Sequence, residues 1–102
     1  MLTFNLKKEW FEKIKSGEKT HEYRVANSYW NKRLYNQFYK YKFKGTGIPC
    51  CFACGYPKKE DTAKRLYGYI TRISRLFDGL DTDLKTDREL FDIEFELIKE
   101  KV

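Results

Sequence analysis

The chain has 102 residues, enough for one domain of the commonest size and too few for a kinase, a two-domain dehydrogenase or a (β/α)8 barrel. Hydrophobic residues make up 41%, charged residues 35% and aromatic residues 18%, which supplies a core and excludes a disordered chain. Lys and Arg number 21 against 15 Asp and Glu, and the net charge of +6 favours an anionic partner without identifying one.

In chain order, Leu2-Thr-Phe-Asn-Leu6 alternates apolar and polar at strand period. Lys8 to Lys15 then places Trp10, Phe11 and Ile14 at helical spacing, and Gly17 is suited to end that helix because it reaches φ > 0 without a Cβ clash. Thr20–Val25 reads as a second strand. Asn27 or Ser28 can cap a second helix carrying Tyr29, Trp30 and Leu34. Tyr39-Lys-Tyr-Lys-Phe-Lys44 alternates aromatic and lysine and reads as a strand, followed by the punctuation Gly45-Thr-Gly47. Ile48–Ala53 is a mostly buried strand. Arg65 to Arg75 forms another, with Leu66, Gly68, Ile70 and Arg72 on one register and Tyr67, Tyr69, Thr71 and Ile73 on the other. The acidic stretch from Asp78 to Glu89 is turn-rich with room for one helical turn, and Phe91–Ile98 is the last strand. The expected architecture is α+β: a small β-barrel of five to six strands with two helices packed on one side or end, a single domain over residues 1–102.

Charge is uneven along this frame. Residues 1–44 carry 11 Lys and Arg against 4 Asp and Glu, whereas residues 76–102 carry 4 against 9. The basic front therefore belongs to the first part of the chain. No run approaches the roughly 20 apolar residues of a membrane span, and the opening residues lack the apolar stretch of a signal peptide. Three cysteines, Cys50, Cys51 and Cys54, cannot all pair within one chain, so a cytoplasmic protein is expected. Cys51-x-x-Cys54 has ligand-like spacing, but only Cys50 and the sole histidine, His21, remain to complete a zinc site. Buried small apolar cysteines and a structural His21 are the expectation, with no metal and no cofactor.

The informative string is Gly17-Glu-Lys19-Thr-His-Glu22-Tyr-Arg24. On a strand Thr20, Glu22 and Arg24 share one face, and His21 and Tyr23 the other. Lys19 sits at the helix–strand junction. A lysine, a carboxylate and an arginine thus converge at the mouth of a cleft. The cations suit a phosphate or base carbonyl, and the carboxylate suits an exocyclic amino group or a base role. Alternatively, the three form a solvated surface network.

This string resembles Gly-x-Lys-x-x-Glu-x-Arg, the signature of the ASCH family in the PUA-like superfamily, with Gly17, Lys19, Glu22 and Arg24 at every fixed position. The flanks are similar too. A strand and an aromatic-bearing helix precede it, Tyr29-Trp30-x-Lys32-Arg33-Leu34 follows, and Gly55-Tyr56 comes after an apolar strand. The likeness covers roughly residues 1–75 and is nearest to the short stand-alone ASCH proteins of bacteria and their phages. It implies a PUA-like barrel whose cleft, lined by the motif's charged residues, binds RNA or a modified nucleoside.

One bacterial branch of the family hydrolyses acetylcytidine, using the motif lysine, a threonine in place of the motif glutamate, and a separate downstream glutamate. Here Lys19 matches, Glu22 stands at the threonine position, and no motif aligns with the downstream glutamate. Another member is described as a ribonuclease.

The expected function is thus binding of RNA or a nucleotide-like ligand through Lys19, Glu22 and Arg24, with Tyr23, Tyr29, Trp30, Lys32 and Arg33 around them. Gly17, Gly55 and Tyr56 are motif positions of structural use. Lys19 and Glu22 would be catalytic if the chain is a hydrolase, and a protein-interaction module is the third class. For Tyr39, Tyr41 and Phe43 a base-stacking platform competes with a core-facing strand, and the core is favoured because an alternating strand needs one apolar face to bury.

Overall fold

A computed structural model of the chain describes residues 1–42 and 47–98. Five strands and two α-helices alternate along these residues: β1 (Leu2–Leu6), α1 (Lys8–Lys15), β2 (His21–Val25), α2 (Ser28–Tyr41), β3 (Ile48–Cys54), β4 (Arg65–Leu76) and β5 (Leu90–Leu97). The strands form one sheet in the order β1-β3-β4-β5-β2. Only β1–β3 is parallel, because two helices and a strand intervene between them, and the other pairs are antiparallel. The sheet curls into a half-barrel rather than a closed barrel, and among the described residues its edges β1 and β2 are not paired with each other.

The alternation read from Leu2-Thr-Phe-Asn-Leu6 buries Leu2, Phe4 and Leu6 together. They meet Phe11 and Ile14 of α1, Leu34 of α2, and Phe52, Phe91, Ile93 and Phe95 of the sheet in one cluster. Both helices therefore cover the same side of the curl. Phe52 lies at its centre, 5.5 Å from the Phe4 ring and 4.3 Å from the Phe95 ring. Each such ring taken out of water contributes about 1.5–3 kcal/mol.

The helix ends follow their local chemistry. The Asn27 side chain accepts the Trp30 backbone N–H at 3.0 Å, so Asn27 rather than Ser28 caps α2. Gly17, two residues past the end of α1, takes φ +85°, a backbone conformation that strains any residue with a Cβ. Gly55 also takes a positive φ, +68°, and its N–H donates to the Leu6 carbonyl at 2.8 Å, tying the end of β3 to β1. Tyr56 beside it projects into solvent.

Several expectations change. Tyr39, Lys40 and Tyr41 are the last turn of α2, not a strand; Phe43 and Lys44 lie outside the described residues. Helical spacing puts Leu34 and Tyr41 against the core and leaves Tyr39 in solvent. No Gly or Pro interrupts the sequence between Asn27 and Tyr41, so the helical period wins over the local alternation there. In β4 the register shifts between Ile70 and Arg72, moving Ile73 onto the core face with Ile70 while Arg72 turns outward. The segment between β4 and β5 contains turns and a Gly79–Thr86 bridge in place of a helical turn. A 3-10 turn forms instead at Thr62–Lys64. β2 begins at His21, one residue after Thr20.

The cysteines are free. Cys50 sits in the core cluster, where burial and then the neighbouring Cys51 push its thiol up to about 12. Among the described residues no group of His, Cys, Asp and Glu is placed to hold a metal, and no helix is long and apolar enough to cross a membrane.

Candidate ligand cleft

The junction between α1 and β2 is built by backbone bonds that fix Lys19. Ser16 N–H donates to Glu12 O, Gly17 N–H to Ile14 O, and Lys19 N–H to Lys13 O at 3.0 Å. These bonds satisfy carbonyls that the end of α1 leaves open. They also hold the Lys19 side chain over the edge of β2. There its Nζ lies 5.2 Å from the centres of both the Trp10 and Tyr23 rings. The ammonium reaches Glu22 Oε1 at 3.5 Å and pairs directly with Asp83 Oδ2.

Glu22 is 5% exposed and faces inward, opposite Ile93 across the β2–β5 ladder. A buried carboxylate must be paired. Its Oε2 accepts from the Arg24 guanidinium at 2.9 Å, and its Oε1 accepts the Tyr23 backbone N–H at 3.2 Å. Arg24 in turn donates to the Asn5 carbonyl of β1 at 3.2 Å and lies over the Phe4 and Trp30 rings. Lys19, Glu22 and Arg24 therefore form one charge chain, continued beyond Lys19 by Asp83.

Asp83 is the site residue that sequence reasoning missed. It is contributed by the segment between β4 and β5, 64 residues after Lys19. Buried Thr82 shapes that segment: its hydroxyl donates to Gly79 O at 2.7 Å and accepts the Leu84 N–H at 3.3 Å. The available signal was the acidic run Asp78-Gly-Leu-Asp-Thr-Asp83, lying just after a strand.

Above this chain opens a cleft of about 320 Å³, walled by Trp10, Lys13, Lys19, His21, Tyr23 and Asp83. Of the motif's fixed residues Gly17, Lys19, Glu22 and Arg24, Lys19 alone reaches it, with its neighbours Glu18, Thr20, His21 and Tyr23. Glu22 and Arg24 lie beneath. Trp30 is stacked on Phe4 at 5.3 Å, and Tyr29, Lys32 and Arg33 stand in solvent on the first turns of α2, away from the cleft. His21 Nδ1 lies 2.7 Å from Asp92 Oδ1, and its ring stacks on Tyr23. The cleft thus combines aromatic walls with two ammoniums, Lys13 and Lys19, and three carboxylates, Glu18, Asp81 and Asp83. An ammonium has three donors, so a third N–H of Lys19 is left for a ligand acceptor beside the Asp83 carboxylate, which accepts.

Burial, then the carboxylates of Asp92 and Asp83, raises the Tyr23 phenol above its ordinary value of 10.0. The folded chain keeps this proton where the unfolded chain loses it. The phenol's contribution to stability is therefore complete below the unfolded value and declines as pH rises past it. Thermal melts from about pH 9 to 11 are expected to show a shallower alkaline loss of Tm in Tyr23→Phe than in the parent chain. Parallel curves would mean the phenol titrates normally.

Comparison of the chain with family models, with curated proteins and with solved structures finds no match. The functional reading therefore rests on the residues themselves.

Proposed function

We propose that this protein is an ASCH-type, PUA-like domain that binds RNA or a nucleotide-like ligand, with one base seated in the cleft at Lys19. The observation that carries the reading is the placement of the Lys19 ammonium between the Trp10 and Tyr23 rings, beside the Asp83 carboxylate. A nucleobase presents a flat apolar face, at least one carbonyl or ring-nitrogen acceptor and, in three of the four bases, an exocyclic amine. Aromatic walls suit the face, Lys19 the acceptor and Asp83 the amine. The volume is in the range of small-ligand sites, about 300–1,000 Å³. Three carboxylates against two ammoniums favour recognition of a base over recognition of a phosphate. Curling of the sheet with both helices on one side is compatible with the barrel-like fold the motif implies.

The test is titration of nucleosides, acetylcytidine among them, and of nucleoside monophosphates, followed by Trp fluorescence and by isothermal calorimetry. Lys19→Ala and Asp83→Asn are each expected to weaken binding about tenfold or more, the range of a charge-assisted hydrogen bond. Binding unchanged in both variants would remove the ligand from this cleft.

A second reading, hydrolysis of an acylated nucleoside, is favoured by one observation. Asp83 brings a downstream carboxylate onto Lys19, which no sequence alignment supplied. Water would add to the acyl carbon and the amine nitrogen would leave with a proton, releasing acetate and cytidine from acetylcytidine. Acetate release abolished in Lys19→Ala and Asp83→Ala would select this reading; binding without turnover would select the first.

A further inference from the structure

A second cavity, of about 480 Å³, lies between α2 and strands β3 to β5, and it shares no lining residue with the Lys19 cleft. Its helix wall is a stripe at i, i+4, i+7 and i+11: Asn31, Tyr35, Phe38 and Lys42. Tyr35 is 60% exposed and Phe38 53%, and Tyr39 on the same flank is 59% exposed, its ring 6.0 Å from that of Tyr35. Monomeric proteins rarely leave aromatic side chains clustered in solvent without a use. Across the cavity, Ile70 and Ile73 form an apolar floor and Arg72 stands at the rim, turned outward by the shift in β4. Arg72 makes no ion pair among the described residues.

Charge is one-sided on this face. Of the cations between Ser28 and Lys42, Lys42 lines the cavity; this stretch carries no Asp or Glu, and among the described residues no carboxylate lines the cavity. We propose that this groove is a docking surface for single-stranded nucleic acid, with unpaired bases stacked on Tyr35 and Phe38 and phosphates held at the rim by Arg72 and Lys42. It rests on the functional reading above only in the class of ligand, since a base at Lys19 would come from the same strand or from a separate molecule.

An anionic polymer with exposed flat rings fits each feature. Stacking on an aromatic ring contributes about 1–3 kcal/mol per base and tolerates any sequence. An anionic membrane fits less well. A membrane-seated helix turns its aliphatic and indole side chains toward lipid, with its cations on the opposite face. In α2, Trp30 and Leu34 are turned into the core, and the exposed rings Tyr35 and Phe38 border a concavity.

The experiment is fluorescence anisotropy with a labelled oligouridylate of about twelve nucleotides and its duplex with oligoadenylate, over a series of salt concentrations. Vesicles of phosphatidylcholine and phosphatidylserine are tested in parallel by co-sedimentation. The single strand is expected to bind more tightly than the duplex, and Phe38→Ala and Tyr35→Ala each to weaken it about tenfold. Arg72→Gln is expected to lower the slope of log affinity against log salt by about 0.7. All three positions are solvent-exposed, so folding is retained and is checked by circular dichroism. Single-strand affinity absent, or unchanged in Phe38→Ala and Tyr35→Ala, overturns the proposal, as does vesicle binding without oligonucleotide binding. Nucleoside titration of the same variants separates the two sites. Loss in Lys19→Ala alone assigns the cleft, and loss in Phe38→Ala alone assigns the groove.

Discussion

Arg24→Ala is expected to lower the unfolding free energy by about 3 kcal/mol, the low end of the cost of breaking a buried ion pair. Two losses combine. Glu22, buried at 5% exposure, keeps only the longer 3.5 Å contact with Lys19 and a backbone N–H. The stacked Phe4 and Trp30 rings lose the guanidinium that covers them at 5.3 and 5.0 Å. The same side chain also joins β2 to the Asn5 carbonyl of β1, across the open seam of the half-barrel. Urea unfolding measures the effect. Arg24→Lys is expected to recover only part of it, because an ammonium lacks the planar fork and stacks less well. The pair Glu22→Leu with Arg24→Met is expected to be less destabilised than Arg24→Ala alone, since neither charge is then left buried. A loss below about 1 kcal/mol in Arg24→Ala would mean that Glu22 rearranges into solvent.

Gly68→Ala is the second large effect. Gly68 lies in β4 between β3 and β5, and a Cβ there would meet the Glu96 carbonyl oxygen at 2.4 Å and Leu97 Cα at 3.2 Å. Both obstacles are backbone, so the β4–β5 ladder itself must open. A cost of about 3 kcal/mol is expected, at the upper end for overpacking. Gly79→Ala is the internal control: the atoms nearest its Cβ belong to side chains, Leu90 Cδ1 at 2.4 Å, Thr86 Cγ2 at 3.0 Å and Thr82 Oγ1 at 3.1 Å, so no strand ladder has to open. The expected order is a larger fall in Tm for Gly68→Ala than for Gly79→Ala. The reverse order would show that the ladder yields more easily than the side chain.

Legibility in the sequence depended on how far apart the causes lie. β1, α1, β2, the cap of α2 and β3 were readable because alternation, spacing and a capping side chain act within a few residues. Tyr39–Tyr41 was misread for the same reason: these residues fitted a local strand pattern while the helix they end was set by Asn27, twelve residues before Tyr39. The shift after Ile70 leaves no local mark, because it answers to the partner strand β5. The Lys19–Glu22–Arg24 chain was legible as three charges in one string, and their pairing with one another follows from Glu22 facing the core. Asp83 was not, since only the β4–β5 connection folding back brings it to Lys19.

The strand order has a temporal consequence. The first 25 residues supply both edges of the sheet, β1 and β2, yet β2 pairs only with β5, the last strand of the described chain. On a ribosome the Lys19–Arg24 string leaves the exit tunnel long before Asp83 and β5 exist to receive it. Its buried glutamate stays hydrated and its edge unpaired until the final strand slots between β2 and β4. The strand that carries Glu22 and Arg24 therefore finds its only partner among the described strands once β5 is made, and a chain interrupted before Leu90 would carry the whole motif on an unpaired edge.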